Sequence, residues 1–214
     1  TKSAEQNNAK ALYNLFACYE FGKGVEQDSN KALECLLVAA EQGYSFAQSV
    51  VASYYHVGHL VEQDYQKAFY WYKLAAEQNE PMAQNDLAHY YFKGLGVEKD
   101  TEKAIYWLTK AAEQGIAMAQ STLGGCYIRG MQVEKDISKA IYWFAKAADK
   151  GFALAQCQLA DMYYLGLGVE KNLNLAIAYY LKASRQGFGL AQLSLGTLCL
   201  NGWGTKKDEA LAVK

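Results

Sequence analysis

Apolar residues recur along this chain in two alternating helical patterns. The first runs small, aliphatic, aromatic at intervals of four, as in Ala83, Leu87, Tyr91 and again in Ala155, Leu159, Tyr163. That spacing lays three side chains along one face of a helix. The second follows a Lys-Ala pair, with apolar residues at 104, 107, 108, 111 and 112 in one copy, the stripe of a core-facing helix. The first pattern stops at a Gly-x-Gly turn (Gly94-Leu95-Gly96, Gly166-Leu167-Gly168), which suits backbone with positive φ. Asp28, Asp64, Asp100, Asp136 and Asp208, with Asn172 in the fifth copy, then stand where a helix N-cap is expected. The second pattern ends at Gly43, Asn79, Gly115, Gly151 and Gly187, read as left-handed caps, with Asn as the usual substitute for Gly. Pro81 falls near the start of a first helix, the tolerated end.

These columns share one period of 36 residues. Ala-Gln occurs at 47–48, 83–84, 119–120, 155–156 and 191–192, Gly at 22, 58, 94, 130, 166 and 202, and Tyr at 19, 55, 91, 127 and 163. Trp71, Trp107 and Trp143 keep the same step. A fixed period in this range marks a repeat architecture. The expectation is an all-α chain of about six helix–turn–helix units, at 8–43, 44–79, 80–115, 116–151, 152–187 and a truncated 188–214. Residues 1–7 read as the end of a preceding repeat helix, so the chain is expected to be an excerpt of something longer, with any targeting sequence outside it. The sixth unit stops within its second helix without a polar cap and is expected to fray. Ala47, Ala83 and Ala119 are expected to let helix axes approach closely.

Composition narrows the function. The 214 residues are 51% hydrophobic and 20% charged with net charge -1, which removes the electrostatic case for nucleic acid. No apolar run approaches the roughly 18 residues of a membrane span, so direct membrane insertion is not expected. A single Pro beside 17 Tyr suits a chain of helices.

Leu123-Gly124-x-x-Tyr127, the Gly-x-Gly-Val turns at 94–97 and 166–169, Lys103-Ala104-x-x-Trp107 and Ala111-Ala112-Glu113-Gln114-Gly115 together resemble Sel1-like repeats, a branch of the tetratricopeptide-like solenoids. The resemblance spans the chain. It implies a right-handed α-α superhelix with first helices lining a concave face and second helices forming the convex back. It also implies an adaptor or scaffold role, in bacterial signalling, envelope or host-interaction processes. Leu60 and Gln132 replace the second turn glycine in units two and four, which puts the local turn geometry there in question. A cysteine-rich subfamily carries paired Cys late in one second helix and early in the next first helix. The matching positions here are Ala40, Ala76, Ala112, Ala148 and Gln48, Gln84, Gln120, Gln156, so that subfamily is excluded, and with it the basis for a hydrolase. The Cys residues present, at 18, 35, 126, 157 and 199, are expected to be buried small hydrophobes.

No catalytic signature appears, and no cofactor or metal is expected. His56 and His89 lack a third ligand at metal spacing, the Gly-x-Gly turns follow helices rather than strands, and there is no nucleophile elbow. Binding is therefore sought on the helix face that packing leaves open. Relative to the central aliphatic of each first helix (Leu15, Val51, Leu87, Leu123, Leu159, Leu195), positions two before, two after and five after share a face. It carries Tyr13, Ser49, Ser53, His56, Asn85, His89, Phe92, Ser121, Ile128, Asp161, Tyr164 and Thr197. On the resemblance this face is the concave one, and these residues are the expected contacts to a protein or peptide partner, with a monomeric chain favoured. Trp203 is a second candidate. The alternative reading is a structural spacer between other domains, with the same face merely solvated or set between helices.

Overall fold

A computed structural model describes residues 2–201, with side chains from 8 to 200. The sixth turn with Trp203, the cap Asp208 and the expected fraying second helix lie outside the described residues. Among these there are eleven helices and no strand: α1 (Lys2–Phe21), α2 (Ser29–Glu41), α3 (Ser45–Val57), α4 (Tyr65–Glu77), α5 (Pro81–Lys93), α6 (Thr101–Glu113), α7 (Ala117–Arg129), α8 (Ile137–Asp149), α9 (Ala153–Leu165), α10 (Leu173–Ser184) and α11 (Gly189–Asn201). They belong to two compact units, Thr1–Ala111 and Ala112–Lys214, so that only the last two residues of α6 lie in the second. In the first unit α1 to α5 each pack on their neighbours in sequence, and in the second α7 to α11 do the same. The helix α1 is unbroken across residues 7 and 8, where the tail of one helix and the start of a new repeat were expected to meet.

The caps follow the residues that announced them. Asp28 and Asp64 each accept two backbone amides of the helix they open, Asp100 accepts Lys103 N at 2.9 Å, Asp136 accepts Lys139 N at 2.9 Å, and Asn172 accepts Leu175 N at 3.0 Å. Each cap also closes its turn, its own amide donating to the carbonyl of Tyr19, Tyr55, Tyr91, Tyr127 or Tyr163. The Lys of each Lys-Ala pair completes the joint. Lys31, Lys67, Lys103 and Lys139 sit 2.8–3.6 Å from the capping carboxylate and 5.2–5.6 Å from the centre of the same Tyr ring. In the fifth unit Leu175 takes the Lys position, and Tyr163 stacks on Tyr179 instead, 6.0 Å apart at 5°.

Asn79 caps α4 at φ +63°. Leu60 and Gln132 adopt φ of +57° and +51°, so the turns they were thought to disturb keep the glycine conformation, against the Cβ repulsion that costs an L-residue there roughly 1–2 kcal/mol.

The buried Gln column welds successive repeats. Gln48, Gln84, Gln120 and Gln156 are at least 96% buried and donate Nε2 to the carbonyl eight residues earlier, on Ala40, Ala76, Ala112 and Ala148, at 3.0–3.2 Å. These are the two columns matched above to the paired Cys of the cysteine-rich subfamily, and here a hydrogen bond joins them. The Cys residues are free; Cys126, Cys157 and Cys199 are buried and Cys18 and Cys35 half-buried.

One expected core position is corrected. Val51, Leu87, Leu123 and Leu159 are buried, but Leu15 is 38% exposed and the next residue, Phe16, is buried in its place. Phe16 stands in a column filled elsewhere by Ala52, Ala88, Gly124 and Ala160, and its ring packs with Leu36, Ala39 and Val51. A large ring in the small-residue column takes the space and turns Leu15 outward.

Candidate polar clusters on the first helices

The expected contact face divides by column. Positions two after and five after the central aliphatic reach the surface wholly or in part: Ser53, His89, Asp161 and Thr197 are exposed, and His56, Phe92, Ile128 and Tyr164 are half-buried. Positions two before are half-buried or buried in the first five copies, and only Leu193 in the sixth is exposed. Asn85 and Ser121 are only 7% and 4% exposed, so neither is available to a partner as expected. In the first two copies the residue thirty-one on, which caps the next first helix, closes over this column. Tyr44 sets its ring 5.3 Å from that of Tyr13, and Glu80 accepts from Ser49 Oγ at 3.1 Å. Tyr13 is thus half-buried between Phe16 and Tyr44, with its pKa raised by burial and then by Tyr44.

In the first unit the open residues converge on a centre that the sequence reading did not select. The Tyr72 hydroxyl, from the second helix α4, lies beside the Asp86 carboxylate and the Ser53 hydroxyl. Burial, and next Asp86, raises the Tyr72 pKa. His56 Nδ1 lies 2.7 Å from Tyr90 Oη, Tyr90 is buried, the Tyr65 and Tyr90 rings pack edge to face, and the His56 ring is tilted against both. Asp86 accepts from Asn85 Nδ2 at 3.1 Å. Burial pushes the Asp86 carboxyl above its ordinary 3.8; Glu80 adds to the rise, while Asn85, His89 and His56 oppose it. His89 is held below its usual value, first by burial and then by Lys93. The result is a desolvated carboxylate beside two histidines, under a partly open surface.

The second unit repeats the motif with the roles exchanged. Tyr180, on α10, donates to Asp161 Oδ1 at 2.5 Å and accepts from Ser194. A cavity of about 200 Å³ opens beside it, lined by Tyr164, Tyr180, Leu193, Ser194, Thr197 and Leu198. Asp161 in turn adds to the rise of the Cys157 thiol, which burial pushes up to about 11. Ile128 packs as an apolar residue against the α8–α9 core. Thr197 donates its hydroxyl to Leu193 O within its own helix, at 3.0 Å.

A signal for these clusters was present in the sequence. The second-helix position at 36, 72, 108, 144 and 180 reads Leu, Tyr, Leu, Phe, Tyr. Only the two tyrosines have one Ser and one Asp at nineteen before and fourteen after: Ser53 and Asp86, Asp161 and Ser194. A buried hydroxyl needs partners, and the variable columns supply them where they are needed.

Among the described residues no group of three or more His, Cys, Asp and Glu side chains could hold a metal ion, and no helix is long and apolar enough to cross a membrane. Asp86→Asn is expected to stabilise the protein by about 1 kcal/mol at neutral pH, the usual size of gain from relieving one unfavourable group. The sign follows from linkage: a carboxyl whose folded pKa is raised costs stability once it ionises. The cost is absent below 3.8, the ordinary value, and grows as pH rises through the folded one. Urea unfolding of both proteins at pH 7 and near pH 3.5 checks it, the difference vanishing in acid.

The model of the Sel1 repeat family matches at residues 9–44, 45–80, 81–116, 117–152, 153–188 and 189–214. A comparison with curated protein sequences gave no significant match. Among solved structures, a protective antigen of uropathogenic Escherichia coli strains that displays an SLR fold is 36% identical, with a TM-score of 0.86 over 98% of this chain. This chain spans 45% of that one. A Sel1 repeat protein from Oxalobacter formigenes is 33% identical, with a TM-score of 0.88, covering 97% of this chain and 85% of its own. An immunity protein from Pseudomonas aeruginosa is 26% identical, with a TM-score of 0.56, covering 95% and 75%.

Proposed function

Because the chain belongs to the Sel1 repeat family, we propose that it is a scaffold holding a partner protein against the exposed residues of its first helices. Sel1 repeats commonly serve as non-catalytic interaction scaffolds, and such a role needs residues that the repeat does not require for its own packing. The observation that carries the reading is the Tyr72 cluster. Ser53, His56, His89 and Phe92 stand at positions where other units hold unrelated residue types; Ser53 lies beside Tyr72, His56 and His89 beside the desolvated Asp86 carboxylate, and Phe92 packs on the same core cluster. A partner that brings a cation or hydrogen-bond donors to this surface gains from that carboxylate.

In the second unit, Asp161, Tyr164 and Thr197 beside the small cavity would form a separate contact of the same kind. Three similar structures come from bacteria, which favours a bacterial setting, and the names of two of them, an antigen and an immunity protein, fit work at a boundary between cells.

The test is capture of partners with the wild-type chain and with His89→Ala/Phe92→Ala, followed by affinity measurement on whatever is captured. Loss of at least tenfold in affinity is expected, the scale of one or two hot-spot side chains, with unchanged helicity. Equal affinity for both proteins defeats the placement and favours the spacer.

A further inference from the structure

The buried Gln column contains one exception. In two of its four copies a second hydrogen bond is in place: Gln78 Nε2 donates to Gln48 Oε1 at 2.7 Å, and Gln186 Nε2 donates to Gln156 Oε1 at 2.9 Å. The donor is the residue thirty positions on. For Gln120 that residue is Lys150, which donates its ammonium to Gly115 O instead. Gln120 Oε1 is left buried with no hydrogen-bond partner, although its Nε2 is held on Ala112 O at 3.0 Å. Buried acceptors in this state are rare in folded proteins, and each one calls for an explanation.

Gln120 lines a cavity of about 570 Å³, within the range of small-ligand sites. Lys150 lines it too, and by the register of the other copies Oε1 faces position 150, toward this space. Trp143 and Tyr142 form an aromatic wall, their rings 5.0 Å apart and nearly perpendicular. Lys146 lies 5.1 Å over the Tyr142 ring and pairs with no carboxylate among the described residues, and the acidic lining residues Glu113 and Asp149 likewise pair with no cation there. The lining therefore carries two charges of each sign and a starved acceptor.

We propose that this cavity binds a peptide group in which an amide N–H stands next to a carboxylate, as at the C-terminal residue of a chain or at an Asp within one. The N–H satisfies Gln120 Oε1, the carboxylate takes Lys146 and the ammonium of Lys150 once it leaves the exposed Gly115 carbonyl, and the neighbouring side chain lies on Trp143. A phosphate does not suit the site, because the lining has no net positive charge to hold it. This site is separate from the Tyr72 and Tyr180 clusters and stands or falls independently of them.

The experiment follows the Trp143 indole and Gln120 carboxamide NMR signals of the 214-residue chain during titration with three dipeptides. These are N-acetyl-Gly-Phe with a free carboxylate, the same peptide as its C-terminal amide, and N-acetyl-Asp-Phe-amide. Saturable shifts of both signals with the first, the third or both are expected, and which of them binds tells a chain end from an internal Asp. Shifts equal with the carboxylate-free amide, or none with any peptide, overturn the proposal. Lys150→Gln supplies the missing internal donor, as Gln78 and Gln186 do. It is expected to raise Tm by about 3 °C and weaken peptide binding at least tenfold, and unchanged binding by this variant also overturns the proposal.

Discussion

Gly96→Ala is expected to destabilise the protein by about 3 kcal/mol, whereas Gly24→Ala, at the same place in the first turn, costs only about 1 kcal/mol. Both glycines have positive φ, +63° and +76°, so both substitutions meet the penalty for an L-residue in left-handed backbone. Their surroundings differ. A Cβ on Gly24 would meet nothing within 4 Å, but one on Gly96 would run into the backbone of Tyr65 and Gln66, where α4 begins. Backbone atoms at a helix start cannot turn aside as a side chain can, so the helix itself must shift. At Gly168 a Cβ would meet the side chains of Ile137 and Ile141 rather than backbone. Urea unfolding of the two alanine variants under one set of conditions measures the difference, and equal losses would show that turn conformation alone controls this position.

Leu87→Ala is expected to cost about 3 kcal/mol, in the middle of the range for a fully buried leucine. Leu87 is 0% exposed and lies in a cluster with Tyr72, Ala76, Tyr90 and Tyr91, flanked by Tyr55, Phe69 and Trp71. Large rings locked by their own hydroxyl contacts cannot collapse into the space left behind, so the cavity persists. Leu15→Ala, in the same sequence column, is expected to cost under about 1 kcal/mol, because Leu15 lies on the surface and Phe16 does its packing. Stability in stacked repeats is close to a sum of units and nearest-neighbour interfaces. Hydrogen exchange in Leu87→Ala is therefore expected to accelerate first in α4 and α5, with the α8 and α9 amides the last to respond. Uniform acceleration would mean that the chain unfolds as a single cooperative block.

Local rules were enough to read the architecture from the residues. A helix has 3.6 residues per turn, so spacing placed Val51, Leu87, Leu123 and Leu159 in the core, and missed α1, where Phe16 is buried in place of Leu15. The demands of free amides and left-handed backbone placed Asp28, Asp64, Asp100, Asp136 and Asn172 at caps and Gly or Asn79 at helix ends. Those are contacts within a turn or two of chain, and the side chain that makes them announces itself. Which residues stay open on the remaining face was a different matter. Spacing grouped Asn85 and Ser121 with Ser53 and His89, because all lie opposite the buried stripe, but openness depends on what covers a residue.

Coverage comes from elements fourteen to thirty-one residues away. Glu80 closes over Ser49, and Tyr44 over Tyr13. Tyr72 draws Ser53 and Asp86 into one cluster, and Lys150 turns to Gly115 and leaves Gln120 without its donor. Helicity, caps and turns were thus legible in single residues, because each is a preference of a short stretch of backbone. The desolvated Asp86, the buried Asn85 and the starved Gln120 arose only once helices were packed, because burial and an unmet hydrogen bond are properties of a neighbourhood and no residue carries them alone.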